Sequence, residues 1–317
     1  MSDLSLIDPI FLRIALKYLQ YYIEYLLLKS FLLFVRIIPE YFINKFSTLF
    51  GYFLYYLGVR KKVVDINLNI AFGDQLSFQQ LTELRKNVYL NAANVLFEFL
   101  CMNHIKTDKL DQYITISGQD VLKDALKEGK GVVVAGNHFG HWELATAAIS
   151  YFCEPLYIFT GMQKNKRVDD VMNKIRGRFG TVTISKAKTA PFEMIKALKK
   201  NKPLGMAGDL NVPHNNLFVD FFSKKAVVGQ GLASYTINRK APLVFIWSVR
   251  VAPFKYKGFI KRLYYQVSGD TEIDQKHVAQ LISSELEDKI RSNPDQYFWF
   301  NRRWKTRPAH ENEGEIY

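Results

Sequence analysis

GVVVAGNHFGHWELATAAISYF, residues 131–152, is the stretch on which the fold turns. Val132 to Ala135 is an unbroken apolar run that stops at Gly136, the pattern of a strand buried on both faces. WELATAAISYF, 142–152, reads as a helix. Asn137, His138, His141, Trp142 and Glu143 crowd between them, and Gly140 permits the sharp change of direction. A strand that runs straight into a helix implies a parallel sheet with helical crossovers.

The pattern repeats outward from there. YITIS (113–117), PLYIFTG (155–161), TVTIS (181–185), PLGMAGD (203–209) and PLVFIWSVR (242–250) read as strands. DVLKDALKEG (120–129), VDDVMNKIRGRFG (168–180), PFEMIKALKK (191–200) and GLASYTINRK (231–240) read as the intervening helices. The expectation is an α/β fold: a mostly parallel central sheet flanked by helices, with right-handed crossovers. GFIKRLYYQVSG (258–269) adds a late antiparallel strand, and 274–294 an amphipathic helix. Upstream, 77–100 is a helix that Ser77 can cap.

Residues 1–60 differ in kind. The opening MSDLSLIDPI is acidic and lacks a cleavage site, so it is not a secretory signal. The apolar segment after it is interrupted by Arg13, Lys17, Glu24, Lys29 and Arg36, leaving no uncharged run of spanning length. It reads as a helical arm lying in the membrane interface. A helical hairpin packed on the protein's own core and a tilted span are the alternatives. The division expected is an arm at 1–60, an α/β domain at 61–308 and a polar, frayed tail at 309–317.

The chain has 317 residues, 48% of them hydrophobic, and a formal net charge of +13. That charge favours an anionic partner: nucleic acid, anionic lipid or an acidic protein. With 24 Phe and 18 Tyr, many in the first 60 residues, a membrane surface fits better than nucleic acid. Cys101 and Cys153 are the only cysteines, which excludes a disulfide framework.

Ligands of open parallel sheets collect at the carboxyl ends of the strands, where His138 stands. A carboxylate beside an imidazole fixes its tautomer and steadies its charged form, so Glu143 can orient His138 as a general base. A packing histidine is the plainer reading. A metal pair of His138 and His141 is disfavoured by the turn at Gly140. No G-x-S-x-G elbow appears and Cys153 has no histidine near it in sequence, which favours direct transfer over a covalent intermediate. GQGLAS (229–234) lacks the third glycine of a dinucleotide loop and reads as a helix start.

NHFGHWELA (137–145) resembles the His-x4-Asp/Glu block of the glycerolipid-type acyltransferase superfamily. Other blocks resemble one branch of it, the lipid A biosynthesis (lauroyl/myristoyl) acyltransferases: VVDINLNIAFG (63–73), NKRVDDVMNKIRGRFG (165–180), PLGMAGDLN (203–211), LFVDFFSKKAVVGQG (217–231) and NPDQYFWFNRRWKTRP (293–308). Two positions depart from that branch: Asn301 stands where a histidine is usual, and Leu210 where Gln or His is common. The resemblance implies a membrane-associated acyltransferase on the cytoplasmic face of the bacterial inner membrane. Its donor would be a fatty acyl thioester on acyl carrier protein, and its acceptor a glycolipid hydroxyl, most simply a lipid A precursor; another polar-lipid acceptor (a phosphatidylinositol mannoside, an aminolipid or a lysophospholipid) and a non-catalytic membrane lipid-binding protein are the alternatives. It implies His138 and Glu143 as catalytic residues, and Arg176 as a phosphate clamp or oxyanion stabiliser. Asp209, Arg302 and Arg303 are implied as substrate-binding residues. No cofactor or metal is expected.

Overall fold

A computed structural model of the protein describes residues 9–308 and 316–317. The acidic opening and most of the polar tail therefore lie outside the described residues. Four helices come first: α1 (Pro9–Ile37), α2 (Glu40–Tyr56), α3 (Lys61–Phe72) and α4 (Phe78–Cys101). Alternation follows, with β1 (Ile114–Ser117), α5 (Gln119–Lys127), β2 (Val132–Gly136), α6 (Trp142–Phe152), β3 (Tyr157–Thr160) and α7 (Lys166–Gly177). It continues through β4 (Val182–Ser185), α8 (Ala190–Lys199) and β5 (Pro203–Ala207). Then come β6 (Asn216–Phe221), β7 (Lys224–Gly229), α9 (Gln230–Arg239), β8 (Leu243–Ala252), β9 (Lys255–Leu263) and α10 (Thr271–Ser292).

Seven strands form one sheet in the order β1-β9-β8-β2-β5-β3-β4. β8, β2, β5, β3 and β4 are mutually parallel. β9 returns antiparallel to β8, as its sequence suggests. β1 pairs parallel with β9 and so runs against the other five, which corrects the expectation that YITIS joins the parallel set. It is short, at the sheet edge, and alternates buried with exposed positions, so local pattern could not orient it.

The apolar run of β2 is covered on both faces. Val133 and Ala135 pack with Met194 of α8 and Leu232 of α9, while Val132 and Val134 pack with Leu122 of α5 and Ile149 of α6. Burying each such aliphatic side chain is worth roughly 1.5–3 kcal/mol. The sheet is thus pinned in register, and the level at which each strand ends is fixed with it.

The β6–β7 hairpin stands apart from the sheet and is not legible in the sequence. Its turn residues, Phe222 and Ser223, both have positive φ (51° and 57°). Two-residue hairpins of this kind favour Asn-Gly, so Phe-Ser gives no signal. Tertiary contacts hold the turn instead. The Phe222 amide donates to Glu287 of α10 at 2.6 Å, and its ring meets those of Phe72 and Trp299.

Helices α1 and α2 carry apolar side chains on both their buried and their exposed faces. Ile43, Ser47 and Gly51 of α2 are buried against α4, and Ser47 Oγ donates to Asn94 Oδ1 at 2.6 Å. A Cβ on Gly51 would stand 2.9 Å from the Leu90 backbone, so the close helix approach requires glycine. Leu32 and Val35 anchor α1, and Asn165 donates to the Tyr21 carbonyl and to Glu24. Leu16, Leu19, Leu27 and Leu33 of α1, with Leu49 and Phe53 of α2, are each more than half exposed. Among the described residues no helix is long and apolar enough to cross a membrane.

Candidate active site

β2 and β5 are neighbours in register, with Gly136 opposite Ala207. Two residues past each strand end stand His138 and Asp209. The backbone N–H of His138 donates to Asp209 Oδ2 at 2.8 Å, and its ring Nδ1 meets Asp209 Oδ1 at 2.8 Å. Asp209 is only 1% exposed. Nδ1 therefore carries the proton, and Nε2 is the ring's basic nitrogen. Burial works against charge on the imidazole, but the Asp209 charge and hydrogen bond outweigh it and raise its pKa above the ordinary value. Burial likewise opposes ionisation of Asp209. The His138 partner and its two bonds prevail and hold the carboxyl below its usual range.

The carboxylate on the imidazole is thus Asp209, not Glu143. Glu143 lies in the first turn of α6 and faces α7, where Arg176 takes both its oxygens: Nε at 2.9 and 3.1 Å, Nη2 at 2.6 Å. Arg176 Nη1 donates to Asn173 Oδ1 at 3.0 Å. Both side chains are about one-tenth exposed. Burial would lower the Arg176 pKa, yet the hydrogen bonds and charge of Glu143 raise it. The pair is a charged strut between α6 and α7.

Gly140 makes the turn between strand and helix possible. Its φ is +61°, and a Cβ there would sit 1.8 Å from the Ser248 carbonyl oxygen. His141 caps α6, accepting from the Leu144 amide at Nδ1 (3.1 Å). It is fully buried against Tyr256, and burial pushes its pKa down to about 3. The two histidines therefore serve different partners. Among the described residues no group of three or more His, Cys, Asp or Glu side chains could hold a metal ion.

The C-terminal block divides. Arg303 is 1% exposed, donates to the Val227 carbonyl of β7 and lies 4.9 Å over the Phe221 ring. It straps the C-terminal block to the hairpin and is withdrawn from solvent. Arg302 is exposed beside the Tyr317 ring, outside the cavity at His138. Asn67 Nδ2 donates to the carbonyls of Trp299 and Asn301 at 2.7 Å each, so the block at 63–73 holds the C-terminal block in place. Ile316 and Tyr317 pack on the main core.

Beside His138 opens a cavity of about 380 Å³. His138, Trp142, Glu143 and Arg176 form one wall, and Ile158, Met206 and Ile246 line the apolar remainder. Neither cysteine lines it, and among the described lining residues there is no serine. The sheet thus presents an imidazole held by a buried carboxylate beside a largely apolar cavity.

The sequence matches the bacterial lipid A biosynthesis acyltransferase family over residues 12–306, and the chain belongs to that family. It is 23% identical to a lipid A biosynthesis palmitoleoyltransferase of Escherichia coli (strain K12), over 81% of this chain and 82% of the relative. It is 25% identical to a lipid A biosynthesis lauroyltransferase of the same strain, over 78% and 80%. It is also 22% identical to a phosphatidylinositol mannoside acyltransferase of Mycolicibacterium smegmatis (strain ATCC 700084 / mc(2)155), over 66% and 67%.

Proposed function

We propose that this acyltransferase moves a fatty acyl group from acyl carrier protein to a hydroxyl of a lipid A precursor, at the cytoplasmic face of the bacterial inner membrane. His138 Nε2 takes the proton of the acceptor hydroxyl as its oxygen attacks the thioester carbonyl. The tetrahedral intermediate collapses, the C–S bond breaks, and the imidazolium returns the proton to the departing thiolate. Asp209 holds the Nδ1–H tautomer and steadies the imidazolium. Arg176 and Glu143 set the wall of the acyl cavity. Glu143 occupies the guanidinium fork that a phosphate would need, so Arg176 acts by positioning rather than as a phosphate clamp.

The observation that carries this reading is His138, held by the buried Asp209 and opening on a largely apolar cavity. Other features agree with it. No cysteine lines the cavity, which supports direct transfer without an acyl-enzyme. Lys164 on the loop after β3, Lys166 and Arg167 at the start of α7, and Lys186 and Lys188 on the loop after β4 are exposed, a basic surface suited to an acidic carrier protein. The exposed apolar faces of α1 and α2 suit the membrane interface where a lipid acceptor lies. Mass spectrometry of envelope lipids from cells with and without the protein is the test. A lipid A species lighter by one acyl chain in its absence supports the reading. An unchanged lipid A profile with a changed phospholipid or other glycolipid would assign a different acceptor.

A further inference from the structure

A second cavity, also about 380 Å³, lies on the far side of Trp142 and Glu143 from the first. Both cavities include these two residues in their walls. The second is bounded by α4, through Ala92, Val95, Leu96 and Phe99, and by the C-terminal residues Phe298 and Phe300. Its lining is almost wholly hydrocarbon and aromatic, and it opens beside the last turn of α2, where Tyr56 and Leu57 are exposed.

The partition between the cavities is aromatic and touches the base. The Trp142 ring lies 5.1 Å from the His138 ring and 6.0 Å from that of Phe298, and Phe298 lies 6.2 Å from His138. The Phe298 amide donates to the His138 carbonyl at 2.9 Å, so the partition is tied to the base by backbone. Arg60 stands in the wall of the second cavity, exposed, with no ion pair among the described residues.

Transfer of an acyl chain from one carrier to a lipid brings two hydrocarbon bodies to one base. One apolar compartment serves one of them, and an apolar cleft of this size is an ordinary ligand site. We infer that the second cavity holds a hydrocarbon chain of an anionic lipid acceptor, with Arg60 at its mouth facing the acceptor's phosphate. The first cavity then takes the acyl chain of the donor. The inference rests on the acyl-transfer reading and assigns the acceptor a place within it. Separate compartments keep the two chains from competing, and the shared partition brings hydroxyl and thioester together at His138.

The test uses the full chain and a lysophosphatidic acid with a diazirine in its alkyl chain. After photolysis, label is expected on peptides holding residues 91–99 and 297–300. Ala92→Phe fills the cavity and should remove that label. With wild-type enzyme turning over, Ala92→Phe should raise the acceptor KM roughly ten-fold or more and leave the donor KM unchanged, the scale of a misfit in a hydrophobic pocket. Leu96→Phe, at a half-exposed position, supplies the same test if Ala92→Phe does not fold. Label confined to residues 156–163 of the first cavity would overturn the inference. So would a donor KM that rises in place of the acceptor KM. Labelling needs no turnover, so an inactive wild-type chain would count against the acyl-transfer reading while the second cavity is still read directly.

Discussion

Replacing Asp209 by asparagine keeps the shape of the side chain and removes its charge. In the wild type both groups facing it are donors, the His138 amide and the Nδ1–H, each 2.8 Å away. Asparagine offers one acceptor and one NH2 group, so one donor must face another donor. If the amide oxygen keeps the backbone N–H, the NH2 group faces Nδ1 and forces the proton onto Nε2, the nitrogen that should act as base. The expected fall in kcat is roughly 10²–10⁴-fold, or about 3–5 kcal/mol in the barrier. The pH profile should move as well. The Asp209 charge is what lifts the imidazole above its ordinary pKa against its burial. The wild-type enzyme should therefore lose activity as pH falls through a value above 6.5, because the base must be neutral. In Asp209→Asn burial is opposed only by the more weakly acting Glu143 charge, and the acid limb should move to lower pH. Initial acyl-transfer rates from pH 5 to 9, with both substrates saturating, measure both effects. A variant with near wild-type kcat and an unmoved acid limb would refute the assignment of Asp209 as the orienting carboxylate.

Glu143→Gln should strand the Arg176 cation between α6 and α7 at a cost of roughly 3 kcal/mol or more, and the double variant Glu143→Gln/Arg176→Gln should recover part of it in a denaturation cycle. Gly140→Ala should lower stability by about 2–4 kcal/mol, since backbone strain at positive φ adds to overpacking against Ser248; thermal melts read this directly. Leu19→Asp/Leu27→Asp/Phe53→Asp should detach the protein from anionic vesicles while leaving its melting temperature nearly unchanged, as all three side chains are more than half exposed. Cys101→Ala/Cys153→Ala should retain activity, and intact-mass analysis after incubation with donor alone should show no acyl adduct.

The sequence yields most elements of this fold because each is written locally. The run Val132–Ala135, the Ser77 cap and Gly140 at the turn are signals confined to a few neighbours. The site was only half as local. His138 and Glu143 are five residues apart, which made them look like partners. Asp209 is 71 residues from His138 and reaches it because β5 lies beside β2 and ends at the same level. No periodicity encodes that adjacency. The same limit explains Arg303, whose basic neighbourhood in sequence concealed a fully buried strap, and the hairpin turn at Phe222, held by α10 and Trp299 rather than by turn-forming residues.

The central claim is that His138 Nε2 is the base for acyl transfer to a lipid hydroxyl. Purified full-length protein, acyl carrier protein charged with a fatty acid and a lipid A precursor in mixed micelles suffice to measure it. The wild type should form the acylated lipid, and His138→Ala should form it roughly 10²–10⁴-fold more slowly with an unchanged melting profile. Near-equal rates for the two proteins, both folded, would contradict it.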